Sequence, residues 1–275
     1  MSSSLPLSES PSEMMDAIPP ELIPNVDDLI TEDDTPVDNI FSEKQQRLLT
    51  ESLYSSWAGP GEGRPFVVLA NVGLFYGMYE PPLVPDVMLS LDVRLPSDPL
   101  FKRNRSYFIW EYGKQPDVVI EVVSNQKGGE LSDKMREYER IRILYYVVFD
   151  PFEELGRIPF RLYELHVGNY VQRADGWLEE IGLGLKLWQG AYEGVEAQWL
   201  RWSDRDGMLI PSGSERADQE HERADQEHER AEQEHQRAEL ERERAEQERE
   251  RADQERERAE RLAARLRELG IDAGS

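Results

Sequence analysis

The sequence predicts an α+β domain built on a mixed β-sheet flanked by helices, with one long helix following it. Three observations lead there. Short apolar runs rich in Val, Ile, Leu and Tyr are bounded by Gly, Pro and Asp, as strands are. Segments of helical period lie among them. From Ala217 to Ala259, alanine recurs every seven residues inside blocks of Glu, Arg and Gln.

Residues 1–38 are rich in Ser, Pro, Asp and Glu and hold too little apolar surface to order themselves, so an acidic disordered leader is expected. The folded domain is expected over 39–212. It opens with a helix, because Phe41, Leu48, Leu49, Leu53 and Trp57 approximate helical spacing up to the break at Gly59-Pro60-Gly61. Strands follow at 65–70, 84–89 and 116–123. A polar loop, 124–129, leads into a helix capped at Ser132, with Leu131, Met135, Tyr138 and Ile141 on one face. The next strand, 144–149, closes at Asp150-Pro151, where Asp150 reads as a turn residue. Residues 160–166 and 169–173 form a hairpin around Gly168, and 190–202 continues in β structure.

The remainder reads as a charged heptad-repeat helix over 213–269 and a tail, 270–275. Its seam is thin, one Ala per heptad, and becomes apolar only at Leu262, Leu266 and Leu269. Self-association into a homo-oligomer through this coiled-coil-like helix is expected. His221, His228 and His235 repeat there, but seven residues span roughly 10.5 Å of helix, too far for one metal to bridge within a chain.

The chain has 275 residues, is 39% hydrophobic and carries a net charge of -24. Residues 1–40 contribute -10 and the middle, 41–214, only about -6. Such a balance argues against a non-specific nucleic-acid coat, whose affinity comes mostly from Lys and Arg. A local basic site remains open, and the densest basic stretch is Lys102, Arg103, Arg105 and Lys114. The absence of cysteine excludes disulfides, thiolate metal sites and cysteine nucleophiles. No signal peptide or membrane-length apolar run is evident, so a cytoplasmic protein without membrane contact is expected.

The residue with most chemical content is Glu121, set in the apolar strand Val118-Val119-Ile120-Glu121-Val122-Val123. Both faces of this strand are apolar, which places the carboxylate away from water, where it needs a cation or a donor network. Asp86 projects from the face opposite Val87, Leu89 and Leu91. Adjacent strands could bring Asp86 and Glu121 together as hard oxygen ligands for Mg2+ or Mn2+. A cation should complete the site. Lys134, bordering the buried face of the following helix, fits this role, and Lys127 in the preceding loop competes for it. Asp117 shares the face of Glu121 and is a possible additional member, although Asp after Pro at a strand start is commonly a turn acid.

Four segments together resemble one family: Val84-Pro85-Asp86-Val87; Pro116 to Ser124 around Glu121; Asp133-Lys134 followed by Tyr138; and Tyr145 to Pro151. They are similar to the restriction endonucleases of the bacterial Uma-two family, within the PD-(D/E)XK nuclease superfamily. The resemblance implies a restriction-endonuclease-like fold over roughly residues 40–205 and metal-dependent cleavage of DNA. By it, Asp86 stands for the aspartate of the PD element and Glu121 for the acid of the (D/E)XK element, both as metal ligands. The superfamily pattern has Lys two residues after that acid, where this chain has Val123, and Lys134 matches the position from which family members supply it. The alternative reading is a catalytically inactive nuclease fold that binds or scaffolds, assembling through its C-terminal helix.

Overall fold

Asn39 starts the first helix: its Oδ1 accepts the Ser42 N–H at 2.9 Å, satisfying one of the free donors of helix α1, Ile40–Ser56. The structure is a computed structural model and describes residues 39–61, 63–77, 79–98, 104–125 and 129–268. The acidic leader, Lys102, Arg103, Lys127, Leu269 and the tail lie outside the described residues. Contacts divide the chain into two units, Met1–Ser212 and Gly213–Ser275.

The first unit is α+β. Among the described residues its main sheet has six strands: β1 (Phe66–Ala70), β3 (Val87–Leu91), β5 (Val118–Val122), β6 (Tyr145–Phe149), β7 (Phe160–His166) and β8 (Asn169–Arg173), hydrogen-bonded in that order. β5 and β6 run parallel and every other pairing is antiparallel. The sheet is therefore mixed. All five residues of β3, β5 and β6 are buried, which is why these segments read as apolar on both faces. The β7–β8 hairpin turns through Val167 (φ 49°) and Gly168 (φ 90°), the two left-handed positions of a two-residue turn matched to strand twist.

One face of this sheet is covered by α1 and by a second sheet, β9 (Trp177–Leu178), β10 (Leu183–Tyr192) and β11 (Val195–Ser203). Leu49 and Leu53 of α1 pack there with Val87, Ile120, Val147, Leu183, Leu200 and Trp202. Gln45 docks the helix by pairing with the backbone N–H and C=O of Leu200 at 3.0 and 2.8 Å. The opposite face packs Met88, Val119, Val123, Tyr146 and Val148 against Tyr138 of helix α3, Asp133–Arg140. It also receives Leu74 and Tyr107, from the two-stranded parallel pair β2 (Leu74–Phe75) and β4 (Tyr107–Phe108). A single turn, α2 (Ile109–Tyr112), follows β4.

Two local expectations change. Ser132 precedes α3 but makes no capping bond; its hydroxyl donates instead to the Gly129 carbonyl at 3.3 Å. Leu131 lies outside the helix and is exposed, so Tyr138 alone is fully buried on the α3 face.

The described residues of the second unit form one helix, α4 (Gly213–Glu268), of 56 residues. Surface pairs such as Arg216–Glu220 at 2.9 Å and Arg261–Glu257 at 3.0 Å run along it. No helix among the described residues is long and apolar enough to cross a membrane.

Candidate active site

The β3–β5 register pairs Val87 with Ile120 and Met88 with Val119, and carrying it one residue further sets Asp86 opposite Glu121. Asp86 stands at the mouth of β3, where the ladder is ending. Its Oδ2 accepts the Val122 N–H at 2.6 Å and its Oδ1 accepts from Gln46 Nε2 at 2.9 Å. Gln46 is in turn fixed by Asn71, whose Nδ2 donates to Gln46 Oε1 at 2.7 Å. The carboxylate is thus oriented from α1 and β5 together.

Glu121 is 1% exposed. Helix α3 supplies both of its donors: the Tyr138 hydroxyl donates to Oε1 at 2.6 Å and Lys134 Nζ to Oε2 at 2.9 Å. Lys134 and Tyr138 are four residues apart and so share one helix face. That spacing lets a single helix grip both oxygens. Lys134 also approaches Glu130 Oε1 at 3.4 Å. Burial pulls the Lys134 ammonium toward losing its proton, but Glu121, then Glu130 and Asp86, outweigh that effect, and the net shift is upward. Burial and the Glu121 charge likewise push the Tyr138 hydroxyl well above its ordinary value.

Val123, where a standard motif has lysine, is fully buried among Val119, Tyr138 and Tyr146. The ammonium arrives instead from the helix lying over the same face. Asp86, Glu121 and Lys134 are therefore brought together. Asp117 is not: it lies four residues from Glu121, roughly 13 Å along the strand, where it accepts the Leu91 N–H at 2.7 Å and pairs with Lys114 at 2.6 Å. Lys114 is accordingly engaged at the far end of β5.

Three residues of this cluster carry no signal that the motif residues alone reveal. Gln46 shares the buried face of α1 with Leu49 and Leu53, and an amide in that row was the available clue. Glu130 stands four residues before Lys134, the spacing of an ion pair in a helical turn. Tyr138 reads from sequence as core, and it is core, with its hydroxyl at the acid.

Among the described residues no group of three or more His, Cys, Asp or Glu is placed to hold a metal ion. No curated protein matches the chain. The profile of one family matches residues 29–182, more than half of the chain, from before α1 to the end of the turn after β9. This span contains Gln46, Asp86, Glu121, Glu130, Lys134 and Tyr138, and the chain belongs to that family, Uma2, described as putative restriction endonucleases.

Proposed function

We propose that this protein is a Mg2+- or Mn2+-dependent endonuclease that hydrolyses DNA phosphodiester bonds. The observation that carries the reading is the meeting of Asp86, Glu121 and Lys134 at one end of β3 and β5. The donor set fits such an ion, since magnesium is commonly held by one or two carboxylates while water and substrate phosphates fill its other positions. Two opposed carboxylates are enough. Asp86 and Glu121 would hold it, and when bound it lowers the pKa of a water and stabilises charge on a phosphate.

The chain's own residues have distinct tasks. Lys134, bonded to Glu121 and close to Glu130, brings a cation to the site, where it can stabilise charge on a phosphate. Tyr138 holds one Glu121 oxygen in place. Gln46 and the Val122 N–H do the same for Asp86.

Purified protein should nick plasmid DNA with Mg2+ or Mn2+, and Glu121→Gln and Asp86→Asn should not. Equal cutting by wild type and Glu121→Gln, or no cutting by wild type across several DNA substrates, sinks the reading. The second reading, a nuclease fold retained for binding without turnover, draws on the lack of a three-ligand group among the described residues. Calorimetry separates them. In an active site Mn2+ binding is lost with either acid; in a site retained without turnover those substitutions leave the titration unchanged.

A further inference from the structure

We propose that Glu130 is a positioning residue that receives the Lys134 ammonium when Glu121 engages a divalent cation. The inference rests on the reading of Asp86 and Glu121 as metal ligands. Glu130 is only 5% exposed, yet its side chain is poorly satisfied. Its Oε1 meets Lys134 Nζ at a long 3.4 Å, and its Oε2 is buried with no hydrogen-bond partner among the described residues. The backbone there is fixed independently, because the Tyr146 hydroxyl donates to the Glu130 carbonyl at 2.8 Å. A buried carboxylate oxygen without a donor is costly, and such an atom calls for a partner or a use.

The use follows from charge. Lys134 now donates to Glu121 Oε2 at 2.9 Å, the carboxylate a metal would share. A divalent cation on Glu121 and an ammonium on the same carboxylate repel one another, so the lysine competes with the metal. Glu130 provides a second seat within reach of the same Nζ. Moving there, the ammonium frees Glu121 Oε2, gives Glu130 the donor it lacks and stays inside the site as a cation. Tyr138 meanwhile keeps Glu121 Oε1 in place. Lys134 lies in the first turn of α3, and Glu130 stands four residues before it in the turn that leads into the helix.

Mn2+ affinity of the full chain, measured by calorimetry, tests this. Glu130→Asp keeps the charge but withdraws the acceptor by one methylene, and should weaken Mn2+ binding about tenfold, the range typical of outer partners of a metal ligand. In a Lys134→Met background, where no ammonium needs a second seat, the same change should alter affinity less than about twofold. Should Glu130→Asp fail to fold by circular dichroism, Glu130→Gln replaces it, with a loss in the wild-type background about fivefold greater than in Lys134→Met. Equal losses in both backgrounds, or no loss in either, overturn the proposal. Absence of Mn2+ binding by wild type, or binding that survives both Asp86→Asn and Glu121→Gln, overturns the metal reading itself and this inference with it.

Discussion

The Tyr138 hydroxyl donates to the Glu121 carboxylate at 2.6 Å, wholly inside the protein. An acid in the centre of an apolar strand is tolerable only because its donors arrive with the helix that covers it. Fold and site are consequently coupled: docking α3 on the sheet and satisfying Glu121 are one event. Losing either donor should be felt both in stability and in the chemistry.

Tyr138→Phe keeps the ring that packs against Tyr146 and removes only the donor. The Glu121 oxygen is then left buried without it, a loss of about 1–3 kcal/mol. Urea unfolding should show a lower midpoint with an unchanged slope, since the surface exposed on unfolding is the same. A midpoint equal to wild type would show that the hydroxyl contributes nothing.

Gln46 acts on the other acid. It bridges Asn71 and Asp86 at 2.7 and 2.9 Å, so Gln46→Leu removes the Asp86 Oδ1 donor while preserving bulk on the buried face of α1. Outer partners of metal-binding carboxylates typically matter by about 10–100-fold, and a loss of that size in both Mn2+ affinity and nicking rate is expected. Unchanged nicking by a folded Gln46→Leu protein would remove Gln46 from the site.

Alkaline pH should unfold the protein through its tyrosines. Burial raises Tyr107 to about 12 and pushes Tyr138, Tyr146 and Tyr170 upward as well. In the unfolded chain these groups ionise near pH 10. The unfolded state therefore releases protons that the folded state retains, and the stability these hydroxyls carry is complete below pH 10 and lost as pH rises toward 12 and beyond. Tyrosinate absorbance should show this buried set ionising together with loss of near-ultraviolet dichroism. Gradual ionisation near pH 10 with the fold intact would contradict the assignment.

Much of this is legible in the sequence where physics is local. Strand β5 declares itself because burial on two faces demands an apolar run, and Glu121 stands out against it for the same reason. The opposition of Asp86 to Glu121 depends on register, which periodicity restricts to a face but does not fix along the strand; Asp117 shares that face and still lies at the other end. Gln46 is 40 residues from Asp86 in the chain, and no local pattern encodes such a contact. Ser132 has the composition of a cap without the geometry, since its hydroxyl is drawn back to Gly129.

Helix α4 carries the last prediction. Its exposed pairs at i and i+4, such as Arg216–Glu220, are worth about 0.3–0.5 kcal/mol each and are screened by salt, so they support helicity without burying anything. Ala at every seventh position offers little area to a partner chain, and the apolar side chains that could anchor one gather near the end, where Leu262 is 58% exposed. Self-association, if it occurs through α4, must therefore depend on that end. Sedimentation of the full chain should show an oligomer, and Leu262→Glu with Leu266→Glu should return it to the mass of one chain. A full-length protein that sediments as a monomer at tens of micromolar would instead make α4 a charged spacer, held straight by its own ion pairs.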